Sequence, residues 1–270
     1  MYIFILSTIV FIIGIVEDLY RSVPPYLRFT TIGFVSLVST LVLEEIIIND
    51  LGIIKLSTYL GQIFTIFALT GITNAFNIID GVNGLSSLLS IISLFFINLA
   101  LKEGEVTLFD LNFIKTFISI ASAFFIINIT TKKIFLGDGG AYLTGFLIGI
   151  ILTHTSNMNP YISPWFFLNI VSYPVVDTLF SMWRRKFLQK KGIMQSDLLH
   201  FHTLLCKKLI KSHTNTTLLI VFFSTLFSTI SYLFKENTII LILVFISFLI
   251  IYSQSYFYII RKFSKNFNKI

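Results

Sequence analysis

The chain has 270 residues, of which 55% are hydrophobic and 12% charged, with a mean hydropathy of +0.87 and a formal net charge of +7. A soluble domain usually carries about 25% charged residues, so this composition excludes an ordinary soluble fold. Its one cysteine, Cys206, excludes an intrachain disulfide and a cysteine-based metal site.

Apolar runs near residues 1–16, 27–46, 57–79, 84–101, 113–130, 139–155, 161–181, 217–234 and 238–260 predict an all-α polytopic transmembrane helix bundle of nine spans. Most have the about 17–25 residues that cross the hydrocarbon layer, the first and sixth being the shortest. The first run has no basic start and no small-residue cleavage site, only Tyr2-Ile3-Phe4, and reads as a span rather than a removable signal. The connections are short and no internal repeat is evident, so residues 1–270 read as one integral membrane domain. Its long polar segment is 182–216.

Basic residues choose the orientation. One side collects Arg21, Arg28, Lys132, Lys133, Arg184, Arg185, Lys186, Lys190, Lys191, Lys207, Lys208, Lys211, Arg261, Lys262, Lys265 and Lys269, sixteen in all. The other has four: Lys55, Lys102, Lys115 and Lys235. The positive-inside rule then puts the N-terminus outside and the C-terminus and the 182–216 loop in the cytoplasm. The net charge arises in these loops, so anionic lipid is the expected partner and nucleic acid is not.

In chain order, the first span closes on Glu17-Asp18, followed by Arg21 and Arg28. A solvated membrane edge looks like this; so does an acidic pair that binds a metal-linked phosphate or orients an attacking group. The third span closes on Asn74, Asn77 and Asp80, whose spacing of three stacks them on one helical stripe. Gly81 reads as the helix stop, Gly84 as a tight re-entry, and Asn83 opens the fourth span. Any one of these residues alone reads as a helix cap. Together they offer amides for a sugar or base and a carboxylate for a hydroxyl or metal. Gly137-Asp138-Gly139-Gly140 precedes the sixth span. There Asp138 is either an N-cap or a ligand for Mg²⁺, which is usually held by one or two carboxylates and substrate phosphates.

Asp177 lies near the end of the seventh span, with Arg184 and Arg185 beyond it. His200 and His202, two apart, share a face only in an extended segment. No His-x-x-x-His pair accompanies them, so they read as phosphate contacts rather than zinc ligands. All of these groups fall on the cytoplasmic side. The other side holds Glu44, Glu45, Asp50, Glu103, Glu105, Asp110 and Glu236 without glycine-rich surroundings. Polar groups within a membrane also mark transport paths, but transporters keep their sites near the midplane. Clustering at the cytoplasmic ends favours an enzyme.

Taken together these motifs resemble the polyprenyl-phosphate N-acetylhexosamine-1-phosphate transferases, glycosyl transferase family 4. That family shows an acidic pair after a span, Asn-x-x-Asn-x-x-Asp-Gly-x-Asx-Gly, Gly-Asp-x-Gly before another span, and a late His-rich loop. The matching positions are Glu17-Asp18, Asn74 to Gly84, Gly137 to Gly140 and His200-Phe201-His202, with Pro174-x-x-Asp177-Thr178 and Arg184-Arg185 between. The pattern covers about residues 10–212. It departs from the family at Glu17, where Asp is usual, at Asn83 in place of an acid, and at Thr203 in place of a third histidine. The resemblance also implies two further spans and a basic loop ahead of the acidic pair. This sequence starts at the span ending in Glu17, so a shortened, inactive homologue is the alternative reading, with a transporter behind it.

The resemblance implies transfer of a sugar-1-phosphate from a UDP-activated amino sugar to a polyprenyl phosphate lipid, with release of UMP. The expected cofactor is Mg²⁺, or Mn²⁺ in its place, bound by Asp138. Glu17, Asp18, Asp80, His200 and His202 are the implied catalytic groups, and Asn74, Asn77, Asn83, Arg184 and Arg185 bind substrate. The expected setting is the bacterial cytoplasmic membrane with a cytoplasmic active site, and a homodimer is a possible assembly. The His-x-His pattern before Leu204-Leu205 is similar to the branch that uses N-acetylglucosamine.

Overall fold

The structure is a computed structural model and describes residues 2–101, 111–131, 134–193, 195 and 197–263. Lys102, Glu103, Glu105, Asp110, Lys132, Lys133, Lys265 and Lys269 lie outside them. Helices start where the first free N–H groups have a partner or need none. Helix α1 (Tyr2–Tyr20) ends at Arg21, which takes a left-handed conformation at φ 49°. Pro24 and Pro25 then open α2 (Pro25–Val42), proline at the first helical position losing no hydrogen bond. Ser57 caps α3 (Thr58–Ile79) by accepting the Leu60 N–H at 3.4 Å. After α4 (Leu85–Ala100) and α5 (Leu111–Thr131) comes α6 (Gly137–Met158). Ser163 and Pro164 start α7 (Pro164–Ile170), which meets α8 (Ser172–Trp183) at a bend of 79°. A π turn at Arg184–Leu188, the short α9 (Phe201–Leu204) and a second π turn at Leu205–Ile210 carry the chain through the polar loop. Helices α10 (His213–Leu233) and α11 (Thr238–Phe263) complete it.

The fold is an all-α polytopic membrane bundle, with no strand among the described residues. Helices α1, α2, α3, α5, α10 and α11 are long and apolar enough to cross a membrane, and the bent pair α7–α8 can make a seventh crossing. Helix α4 is apolar but short, and α6 is long but diluted by glycine, threonine, His154 and Asn157. Each of the nine apolar runs in the sequence thus lies on a helix or on the bent pair. The first and sixth runs extend into longer helices, because glycine and hydroxyl residues in α6 and the acidic end of α1 continue the helical backbone. Large side chains such as Phe4, Phe34, Phe67, Phe222 and Ile239 are exposed on the outside, as a lipid-facing surface requires.

Helix α6 is the centre of the bundle. It packs chiefly on α1 and α3, and most of its side chains are buried. The α1–α6 approach is backbone to backbone: a Cβ on Gly14 would lie 2.4 Å from the Gly139 Cα, and one on Gly139 would lie 2.9 Å from Ile15 Cγ1. On α3, a Cβ on Gly145 would meet the Thr73 Cα at 2.9 Å. Away from the glycine-rich motifs, the opposite end is closed by its own polar contacts. His154 Nε2 lies 3.2 Å from Glu45, Asn157 donates to the carbonyls of Glu45 and Ile47, and Lys235 donates to the Ala100 carbonyl at 3.1 Å.

Gly14→Leu must part α1 from α6, and overpacking of this kind costs about 1–3 kcal/mol or more. The variant is expected to melt several degrees lower in detergent than the parent chain. Gly71→Ala, with nothing within 4 Å of the new methyl, should leave the melting temperature unchanged. Equal melting of all three proteins would mean that the contact at Gly14 is loose.

Candidate active site

At one end of the bundle the acidic residues of α1, α3 and α6 meet. Gly137 adopts φ 67°, open to glycine at little strain, and a Cβ there would lie 2.6 Å from an Asp18 carboxylate oxygen. That bare turn lets Asp18 cap α6 from another helix: its two oxygens accept the N–H groups of Asp138 at 2.9 Å and Gly139 at 3.1 Å. Glu17 instead accepts the Val23 N–H at 2.9 Å and lies 3.9 Å from Arg28, closing the turn into α2. The Arg28 guanidinium donates to the Asp138 carboxylate, which also takes a hydrogen bond from Asn77. Tyr142, one turn along α6, hydrogen-bonds with Asn77 and Arg28.

Asp80 follows the last residue of α3 and joins this group. Burial, then the charges of Asp138 and Asp18, push its carboxyl up from 3.8 to about 8. Among the described residues no three carboxylate, imidazole or thiol groups are arranged to hold a metal ion by themselves. Two carboxylates of high proton affinity, of which Asp138 alone is paired with the Arg28 guanidinium and the Asn77 amide, are nevertheless short of positive charge. That donor set fits a hard divalent cation that takes its remaining oxygens from phosphates or water.

The polar loop builds a second cluster next to the first. Asp177 of α8 has no exposed surface. Its Oδ2 lies 2.8 Å from His200 Nδ1, and its Oδ1 accepts the Phe201 N–H at 2.9 Å and the Tyr252 hydroxyl of α11 at 2.7 Å. Ser181 Oγ is 3.2 Å from the same His200 nitrogen, while Arg185 Nη2 is 3.4 Å from Nε2. Arg184 pairs with Asp197 at 3.0 Å, and Arg185 donates to the Ile193 carbonyl at 2.6 Å. Burial opposes the charge on Asp197, but Arg184 and the Leu199 N–H hold its carboxyl below the usual range. His200 is extended and precedes α9, and His202 is the second residue of that helix, so the two rings stack at 5.6 Å across a helix start rather than along an extended segment. His202 is 1% exposed, and burial brings its imidazole down to about 4 against the pull of Asp177. It is therefore neutral at pH 7. A Cβ on Gly81 would sit 3.5 Å from His202 Nε2, so the loop docks on the turn that follows Asp80.

The structure brings Asp18, Asn77, Asp80, Asp138 and His202 to one place. Asn74 is held apart, its amide donating to the Thr70 carbonyl of its own helix at 2.8 Å. Asn83 is fixed through its backbone by Thr217, which donates to its carbonyl at 2.7 Å, and its N–H points to His213 Nδ1 at 3.5 Å. The left-handed turn lies at Gly84 (φ 76°) and not at Gly81. Gly81 instead leaves room for His202, and Gly139 leaves room for α1 rather than for a ligand. Arg184 and Arg185 are 2% and 6% exposed and serve the loop itself. Arg28, part of the charged turn in the sequence, joins the site through Asp138, whereas Tyr142 and Tyr252 lie in no motif.

A family model described as glycosyl transferase family 4 matches residues 1–156, which includes the acidic cluster but ends before the histidine loop. The chain is also 32% identical over 161 residues to a Bacillus subtilis (strain 168) protein named probable undecaprenyl-phosphate N-acetylglucosaminyl 1-phosphate transferase. That match covers 58% of this chain and 43% of the relative, so the chain matches less than half of that protein's length. With more than half of its residues inside the family match, and with the acidic residues of three helices gathered at one end of a membrane bundle, the chain belongs to glycosyl transferase family 4.

Proposed function

We propose that this chain transfers an N-acetylhexosamine 1-phosphate from a UDP-sugar to undecaprenyl phosphate or a related polyprenyl phosphate, as the first membrane step of a cell-surface glycan. The observation that carries the reading is the convergence of Asp80 and Asp138 at the membrane edge, with His202 docked on the adjoining Gly81. An oxygen of the lipid phosphate attacks the phosphorus that bears the sugar. The bond from that phosphorus to the bridging oxygen breaks, and UMP leaves with that oxygen. The nucleophile is already an anion, so the protein's task is to place the reactants and to balance charge.

Asp80 and Asp138 would hold Mg²⁺, or Mn²⁺ in its place, which when bound neutralises diphosphate charge. Asn77 and Arg28 fix the Asp138 carboxylate, and Asp18 fixes the turn that carries it. Neutral His202 presents Nε2 toward the Asp80–Gly81 turn, where it can hydrogen-bond a sugar or phosphate oxygen. The site sits at helix ends, so a lipid phosphate reaches it from the bilayer and a nucleotide from water. The likeness of His200-Phe201-His202 to the N-acetylglucosamine-using branch makes UDP-N-acetylglucosamine the first donor to test.

The assay is UMP release from UDP-N-acetylglucosamine in the presence of undecaprenyl phosphate. Asp138→Asn keeps size but loses charge, and turnover is expected to fall at least about a hundredfold, the effect of a few kcal/mol. Release that is absent from the parent chain with any UDP-amino sugar would reject the reading. Near-normal turnover of Asp138→Asn with unchanged Mg²⁺ dependence would reject the cation assignment.

A cation that binds Asp80 below pH 8 has to displace a proton. Its apparent affinity should therefore rise by up to about tenfold per pH unit between pH 6 and 8 and level off above. The same carboxyl is protonated in the folded chain and ionised in the unfolded one between 3.8 and about 8. Without a cation, stability should accordingly fall as pH rises through that window, and Mg²⁺ should restore it. Thermal melts at pH 6 and 8 with and without Mg²⁺ check both signs. Asp80→Asn should remove the pH dependence, and a parent chain that is more stable at pH 8 without Mg²⁺ would contradict it.

The active site faces the cytoplasm in this reading. In a Cys206→Ser background, a cysteine at position 190 should resist impermeant maleimide in intact cells and one at position 236 should react. The reverse pattern would invert the bundle.

A further inference from the structure

We propose that Tyr252 of α11 and Asp177 of α8 form a positioning relay that fixes His200 as a neutral imidazole carrying its proton on Nδ1. The proposal deepens the function above, since the relay sets the loop that presents His202 to the Asp80–Gly81 turn. Arginine has donors and no acceptor, so His200 Nε2, 3.4 Å from Arg185 Nη2, has to be the acceptor. The ring proton therefore belongs to Nδ1, which faces Asp177 Oδ2 at 2.8 Å. An imidazolium at this position would turn an Nε2–H toward the guanidinium and push Arg185 off the ring.

The carboxylate favours that imidazolium unless its own charge is satisfied elsewhere. Tyr252 and the Phe201 N–H supply that satisfaction at Oδ1, at 2.7 and 2.9 Å, in a site where Asp177 has no contact with water. The charged and titratable groups facing this pair are His202 and Arg185 from the loop, Tyr173 from α8, and Tyr252 and Tyr256 from α11. Among the tyrosines, Tyr252 donates its hydroxyl to Asp177, and a conservative substitution removes that donor. Phe248, Tyr252, Tyr256 and Ile260 form the buried stripe of α11, so Tyr252→Phe retains the packing of that face.

The chain has four histidines, which makes the tautomer directly visible. The 270-residue chain, labelled with ¹⁵N-histidine in nanodiscs, is compared by NMR at pH 7 with Tyr252→Phe, the His200 signals being assigned with His200→Gln. The parent should show His200 as the neutral Nδ1–H tautomer. Tyr252→Phe should move its signals toward those of the imidazolium. In the UMP-release assay, turnover of Tyr252→Phe should drop about tenfold with little change in KM for the nucleotide sugar, and the acid limb of its pH profile should move upward. Tyr258→Phe, altering an exposed ring on the same helix, serves as the control and should match the parent.

An Nε2–H tautomer in the parent overturns the relay and needs no variant to detect. A Tyr252→Phe spectrum identical to the parent's also overturns it. If the parent releases no UMP while the expected tautomer and its shift are present, the relay stands and the transferase reading fails.

Discussion

Helices α1 and α6 touch through bare backbone at Gly14 and Gly139, and the Asp18 carboxylate beyond that contact takes two N–H groups from the first turn of α6. Almost everything at the site end of the molecule follows from this junction. It brings a carboxylate to the positive end of a helix whose own sequence offers no capping side chain. It also fixes where Asp138 emerges, and thereby where Arg28 and Asn77 can reach it. Because α6 packs against α3 as well, the same turn is held in register with Asp80. A glycine-rich string that suggests space for a ligand thus spends much of its space on another helix.

The two clusters handle charge in opposite ways. In the loop, Arg184 and Arg185 face Asp197, and Asp177 is surrounded by donors, so the buried charges there are matched by side chains and backbone. At the α1–α3–α6 junction, Glu17, Asp18, Asp80 and Asp138 gather around Arg28. An acidic cluster left unbalanced beside a balanced one is the arrangement the proposed cation would complete. The loop is thus internally paired, while the junction keeps an excess of carboxylates over cationic side chains.

Much of this was legible in the sequence because the constraints are periodic or costly. Apolar runs of spanning length gave the helices, and carboxylates at a bilayer edge announced the motifs. Asn77 and Asp80 at the end of one helix were readable from their spacing. What could not be read were pairings between distant segments. Asp18 reaches Asp138 across 120 residues, and Tyr252 reaches Asp177 across 75, from within a span whose sequence carries no motif. Asn74 shares the helical spacing, but its amide is diverted to a carbonyl one turn back, a local competition that spacing does not record. The pairing of Arg184 and Arg185 with Asp197 could not be read either, because Asp197 lies in a stretch of loop that carries no motif.

The 79° bend between α7 and α8 has its own requirement. A helix broken inside a bilayer leaves carbonyls that water cannot reach, and each would cost several kcal/mol if abandoned. Here the Ile170 carbonyl at the break accepts the Ser93 hydroxyl of α4 at 3.0 Å, and the Asn169 amide donates to the Leu241 carbonyl of α11 at the same distance. With the break sealed from two sides, the halves of this crossing can be aimed separately: α7 packs against α10 and α11, while α8 turns toward α3. The direction from which Asp177 approaches the histidines is therefore set by a serine on a neighbouring helix, remote from any reacting atom. The orientation of α8 thus rests in part on one hydroxyl at a position that reads as plain membrane filling.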